Sequence, residues 1–233
     1  AVTVQGGNVL NVYVNGALMA TKTLASPLRS VTRNYCYFGK SYSSSDGYGD
    51  AVFDEVRFYG KVLSFNEIQL DMYTDTFVSF DGFKQNLQDS LTHYWPIGPN
   101  DFTDWYGTSH LVPYLTALQE PDRTGATDQA LRVMDGTTWL YTRAGFYFGS
   151  GDFTVSAWVR MYSCEWWARI FDFANGPSSD NLFLAMSAGT NCVPSMTVVV
   201  GAAGVAAFSS GPLPPTTWHY GAATASGSTL TFY

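Results

Sequence analysis

The sequence predicts an all-β protein, a two-sheet antiparallel β-sandwich of jelly-roll type with one short helix near residues 64–73. Three observations carry that expectation. Short runs of alternating apolar and polar residues recur along the chain, Gly, Ser, Pro and Asn separate them, and one stretch alone carries a strong helix-start signature. Hydrophobic residues make up 46 % of the 233 positions and charged residues only 13 %, which supplies a core and argues against global disorder.

The first third holds three strand-like runs, Val9–Val14, Tyr35–Phe38 and Val52–Tyr59. Ser64-Phe-Asn-Glu67 then has the spacing of a capping box, in which the Ser and Glu side chains satisfy each other's backbone N–H groups. It opens a helix through about Tyr73, with Ile68 and Met72 one turn apart on one face. Thr74–Ser90 is polar with scattered Phe77, Phe80 and Phe83 and reads as a connector, with a second helical turn near Asn86–Leu91. Beyond it, Phe153–Met161 alternates strictly for nine residues. Ile170–Phe173, Leu182–Met186, Met196–Val200, Val205–Phe208 and Leu230–Tyr233 repeat the pattern.

Two groups of motifs resemble the laminin G-like branch of the concanavalin A-like lectin/glucanase superfamily. Gly39-Lys-Ser41, Ala51-Val-Phe-Asp-Glu-Val-Arg-Phe-Tyr59 and Leu63-Ser-Phe-Asn-Glu-Ile68 resemble the family's closing turn, strand and helix start, and Val12-Tyr-Val-Asn-Gly16 its preceding strand and turn. His93-Tyr-Trp-Pro96, Asp152–Arg160 and Trp218-His-Tyr220 are similar to strands from its opening. The resemblance implies a permuted order: residues 1–75 as the closing part, 76–90 as a connector, and 91–233 as the opening part. Aligning Tyr13 with Tyr233 also places Gly7 on Gly227 and Leu10 on Leu230, an offset of 220 residues. Both ends therefore read as falling inside a domain. A window from a tandem array, a protomer completed by strands of the next copy, and a circular permutant closed on itself all fit this pattern.

Twelve Lys and Arg against 19 Asp and Glu leave no basic stripe for nucleic acid. No run of about 18 apolar residues is present, so no membrane-spanning helix is expected. Cys164 and Cys192 flank a strand-rich segment and are placed to join in an oxidising compartment, whereas Cys36 is either a small buried hydrophobe or a link to another chain. Asp54 and Glu55 are the one pair of strand carboxylates comparable to a glycosidase pair. Because they are adjacent, strand alternation is expected to point them to opposite faces, which excludes them as an acid and nucleophile. The three histidines carry no zinc spacing or catalytic triad order.

Calcium is the one cofactor weighed, with Asp46, Asp50, Asp54, Asp101 and Asp104 in or beside Gly-rich loops as candidate oxygen ligands. Trp105, Tyr106, Trp166 and Trp167 are candidate aromatics for stacking on sugars or on an adjacent copy. Ser209–Thr217 is a Ser/Thr/Pro-rich loop of the type that carries O-linked glycans. The expected function is a non-enzymatic, extracellular structural or adhesive module whose partners are adjacent copies of itself. A calcium-dependent carbohydrate-binding, lectin-like module, with glycans as partners, is the alternative.

Overall fold

The alternating runs become strands, and period-two alternation decides which side chains the two sheets enclose. The computed structural model describes residues 2–5, 9–24, 26, 28–73, 87–99, 101–134, 136–148, 152–176, 179–189, 191–201, 203–225 and 229–232. The connector through residue 86, the glycines at 7 and 227, and Tyr233 lie outside these residues.

Strands are numbered in chain order. The larger sheet runs β3 (Ala17–Thr23), β17 (Thr229–Phe232), β2 (Val9–Val14), β1 (Val2–Gln5), β16 (Trp218–Ala225), β11 (Phe153–Met161), β5 (Ala51–Tyr59), β9 (Ala130–Val133) and β8 (Leu118–Glu120). A further strand, β6 (Leu91–Trp95), also pairs with β5. The smaller sheet runs β15 (Ala203–Phe208), β14 (Ser195–Val200), β13 (Leu182–Ala185), β12 (Arg169–Ala174), β4 (Tyr35–Phe38), β10 (Trp139–Thr142) and β7 (Val112–Tyr114).

Both parts of the permuted sequence build both sheets within one chain. Strand β5 lies between β11 and β9, and β4 lies between β12 and β10. Between the sheets, Phe38, Phe53, Phe58, Trp95, Phe148, Phe171 and Phe173 form an aromatic core that is almost fully buried. Its rings meet edge to face, as quadrupoles favour: Phe58 lies 5.1 Å from Trp95 at 87° and Phe38 lies 5.7 Å from Phe173 at 89°.

A second, smaller core lies where helix α1 (Phe65–Tyr73) packs with the large sheet. The capping box is present in both directions, Ser64 N–H donating to Glu67 Oε2 at 2.7 Å and Glu67 N–H to Ser64 Oγ at 3.4 Å. Ile68 and Met72 are buried with Tyr13, Tyr59, Leu63 and Tyr220. A helical turn occupies 87–90. Among the described residues, no helix is long and apolar enough to cross a membrane.

The offset of 220 residues reappears in space. Strand β17 pairs with β2 in parallel, with Thr229 opposite Val9, Leu230 opposite Leu10 and Phe232 opposite Val12. Strand β1 pairs with β16 in parallel, with Val2 opposite Ala223. Among the described strand pairs, these two alone are parallel; the first keeps the offset and the second departs from it by one residue. The N-terminal hairpin β1–β2 thus lies between β16 and β17.

Candidate functional site

The two outer faces of the sandwich both carry buried charge. On the large sheet, Arg57 is fully buried beneath α1 and donates through Nη1 to the Asp71 carbonyl at 3.1 Å and carboxylate at 3.0 Å. Its Nη2 pairs with Glu55. Asp71 also accepts from Tyr59 at 2.6 Å, Ser156 at 2.6 Å and Tyr220 at 2.5 Å. Burial alone would raise the Asp71 carboxyl. The Arg57 charge and the three hydroxyls outweigh burial and hold it below its ordinary value.

Beside this cluster the sequence expectation for Asp54 and Glu55 is corrected. Strand β5 is bulged opposite β11, Glu55 has φ +54°, and two residues of β5 stand opposite Ala157. The bulge interrupts the alternation, so both carboxylates line one cleft of about 260 Å³, together with Asp101, Asp122, Tyr94 and Trp105. Burial, then the Glu55 charge, pushes Asp54 up to about 7, opposed by Arg123 at 3.4 Å. Glu55 is committed to Arg57 and to the Tyr94 hydroxyl at 2.8 Å, a bracing role.

On the outer face of the small sheet the register aligns a row of side chains across the strands. Tyr141 of β10 lies opposite Tyr37 of β4, Tyr37 opposite Asp172 of β12, Asp172 opposite Phe183 of β13, and Phe183 opposite Thr197 of β14. Their strand neighbours Leu140, Phe38, Phe171, Leu184 and Val198 face the core, so alternation places this row outward. Above its middle opens a cleft of about 290 Å³ lined by Ser41, Tyr42, Arg169, Asp172, Phe183 and Thr197, among others.

The cleft floor is charged and incompletely paired. Arg169 and Asp172 are 5 % and 3 % exposed. Arg169 Nη2 donates to Asp46 at 2.5 Å, and its Nε is 3.8 Å from Asp172 Oδ2. That same Asp172 oxygen accepts from the Tyr42 N–H at 2.8 Å and from the Ser41 hydroxyl at 3.3 Å. Among the described residues, Arg169 Nη1, Asp172 Oδ1 and Thr197 Oγ1 have no hydrogen-bond partner. Burial raises the Asp172 carboxyl against the pull of Arg169 and these donors. The Phe183 ring stands over the Arg169 guanidinium at 3.8 Å.

The residues singled out in sequence fall in several places. Asp46 serves Arg169 and Ser41, Asp50 pairs with Arg132, and Asp54 pairs with Arg123. Asp101 accepts from the Thr103 N–H and the Trp105 indole, and Asp104 from backbone N–H groups including those of Tyr94, Gly107 and Ser109, with His93 at 2.6 Å. These five carboxylates are spent on separate partners. Among the described residues, no three His, Cys, Asp or Glu gather into a set that could hold a metal ion.

Trp105, 58 % exposed, lines the acidic cleft on the large sheet, and Tyr106 is exposed beside it in sequence. Trp166, 55 % exposed, meets Trp167 edge to face, and Trp167 lies 5.5 Å from the Arg169 guanidinium and 6.4 Å from Phe183. The Trp166–Trp167 pair therefore borders the small-sheet cleft. Cys164, two residues before Trp166, is disulfide-bonded to Cys192 across 5.1 Å between Cα atoms. Cys36 is a free thiol buried in the main core, and burial pushes it up to about 12. Tyr37, Tyr141, Arg169, Asp172, Phe183 and Thr197 escaped sequence reasoning. Asp172, a lone carboxylate inside the apolar run Ile170–Phe173, was the available signal.

Two antiparallel-rich sheets closed face to face over an aromatic core, with a polar cleft on one outer face, define a lectin-like β-sandwich. A laminin G family model, described as the concanavalin A-like lectin/glucanases superfamily, matches residues 1–69 and 134–233, and the chain belongs to that superfamily. The match comes in two blocks, and strands from both blocks share each sheet. No curated protein and no solved structure matches the chain.

Proposed function

We propose that this protein is a non-enzymatic, extracellular, lectin-like module that binds glycans in the small-sheet cleft. One observation carries the reading: the buried, unpaired Arg169 Nη1, Asp172 Oδ1 and Thr197 Oγ1 at the floor of a ligand-sized cleft. Unmade hydrogen bonds on buried polar atoms cost about 1–3 kcal/mol each, so such groups call for a partner. A sugar edge presents hydroxyls that donate and accept within a few ångströms, matching an acceptor carboxylate, a donor guanidinium and a hydroxyl together. Phe183, whose ring lines the cleft over Arg169, offers that ring to the apolar face of the sugar. A disulfide and a low-charge surface accord with secretion.

The test is glycan-array binding by the intact protein, with and without a calcium chelator. Wild-type protein is expected to bind, and Asp172→Asn to lose at least tenfold in affinity. Absence of binding, or equal binding by Asp172→Asn, overturns the reading. Chelator sensitivity in the bound arm assigns calcium a part in it.

The adhesive reading keeps a specific support of its own. The duplicated strands β2 and β17 stand side by side in their repeat register, so a second copy of the chain offers each an equivalent place. Light scattering over a hundredfold concentration range tests this: assemblies that disappear in Leu230→Pro support exchange between copies, and a monomer throughout removes it.

A further inference from the structure

A second cleft, on the large sheet beside α1, and the proline-rich loop Ser209–Thr217 have opposite hydrogen-bonding chemistry. Val155, Ala157 and Val159 of β11 face the core, so alternation turns Trp158 outward. Trp218 opens the neighbouring strand β16, opposite Arg160 of β11. With Met72 and Tyr73 at the end of α1, and with Arg123 and Thr124, these two indoles line a cleft of about 360 Å³. Tyr73 is 74 % exposed. The Arg123 guanidinium lies 5.0 Å from the Trp158 ring, and that of Arg160 lies 5.0 Å from the Trp218 ring. Neither indole N–H has a hydrogen-bond partner among the described residues. No carboxylate lines this cleft, and the polar groups that Trp158, Trp218 and Arg123 bring to it are donors only.

The loop is the reverse. Pro212, Pro214 and Pro215 are exposed, and Pro212 and Pro215 stand three residues apart, the spacing of a P-x-x-P segment. A proline has no N–H, and the other backbone donors here are already spent inside the chain. Gly211 N–H donates to the Ser209 hydroxyl at 3.4 Å, Leu213 N–H to the Cys192 carbonyl at 2.9 Å, and Thr216 N–H to the Met161 carbonyl at 2.6 Å. From Gly211 to Thr216 the backbone thus presents acceptors and no free donor. Prolines also fix their own backbone in advance, so such a segment docks between aromatic rings at small ordering cost. The loop does not reach the cleft of its own chain: Leu213 packs against the main core and Thr216 is tied to the end of β11. Only two residues separate Pro215 from Trp218, too few to turn the prolines back over that ring. We infer that the cleft beside α1 receives the Gly211–Pro215 loop of a second copy of this chain. Trp, Tyr, Met and Arg, which line the cleft, are the residue types that anchor protein interfaces. The contact joins a loop to a cleft, needs no exchange of β2 and β17, and is independent of glycan binding on the other sheet.

The experiment is sedimentation velocity of the intact protein across a concentration series, with variants of each half. Trp218→Phe keeps a ring and removes one donor, and is expected to weaken association about tenfold. The double variant Pro212→Ala, Pro215→Ala adds two N–H donors to the loop and is expected to weaken it at least as much. An equimolar mixture of the two is expected to regain a contact of wild-type strength, because one variant keeps its loop and the other its cleft. Leu230→Pro is expected to leave association intact. Wild-type protein that stays monomeric, association that survives both variants, or a mixture that regains nothing overturns the contact. Association lost in Leu230→Pro assigns it to strand exchange and likewise overturns docking of the loop.

Discussion

Both outer faces of the sandwich hold a buried arginine beside a buried aspartate, and the surroundings of the two pairs are opposite. Under α1, Asp71 takes hydrogen bonds from Arg57, Tyr59, Ser156 and Tyr220, and its carboxyl is held low. On the small sheet, Asp172 has one oxygen engaged and one unpaired, and its carboxyl is pushed up. A carboxylate with donors on both oxygens, as Asp71 has, rigidifies the elements that supply them. A partly satisfied one stores an unmet demand that a ligand can fill. The difference separates a residue pair that holds the fold from a pair available for recognition.

The largest effect is expected where the saturated network is broken. Asp71→Ala takes from the buried Arg57 charge one of its two carboxylate partners and is expected to cost about 3–5 kcal/mol, read as a fall in the urea midpoint. A cost under 1 kcal/mol would dissolve the contrast between the faces. Replacing Cys164 and Cys192 with Ala opens a loop of 28 residues, with an expected loss of about 3 kcal/mol. That loss should be accompanied by weaker glycan binding, because Trp166 and Trp167 lie on the bridged segment at the cleft's border.

The pH dependence separates two carboxylates, Asp71 on α1 and Asp54 on the large sheet. Asp71 has its folded value depressed, so its contribution is fully present above about pH 4 and is lost as pH falls through the folded value. Asp54, pushed up to about 7, behaves oppositely. Between about pH 4 and 7 it is protonated when folded and ionised when unfolded, so it makes stability decline as pH rises across that window. Asp54→Asn is expected to flatten the decline, measured as urea midpoints from pH 4 to 8. An unchanged slope contradicts the burial assigned to Asp54.

The smallest expected effect on stability falls in the small-sheet cleft. Thr197→Val replaces a buried hydroxyl that has no partner with a methyl of similar shape, so stability should stay within about 0.5 kcal/mol or rise. Affinity for glycan should nevertheless fall.

The fold was legible because alternation survives in a single sequence: Phe153–Met161 and Tyr35–Phe38 are strands with those bounds, and Ser64–Glu67 caps α1. The three- and four-residue strands β7 to β10 escaped because so few residues show too little alternation, and Pro113 reads as a breaker. The bulge at Glu55 was illegible for another reason, since a left-handed residue that interrupts alternation leaves no mark in Phe53-Asp-Glu-Val56. The row on the outer face of the small sheet depends on register among five strands. Tyr37, Tyr141, Asp172 and Thr197 are far apart in sequence, and only the pairing of β10, β4, β12, β13 and β14 sets them in one row. Asp71 and Arg57 were visible as residues, but not as partners.

The most direct measurement compares Thr197→Val with wild-type protein in glycan binding and thermal unfolding together. The expected result is an equal or higher midpoint with at least a tenfold loss of affinity, which separates recognition from stability at one buried hydroxyl. Unchanged affinity, or a midpoint that falls in step with it, would contradict the assignment of this cleft as the binding site.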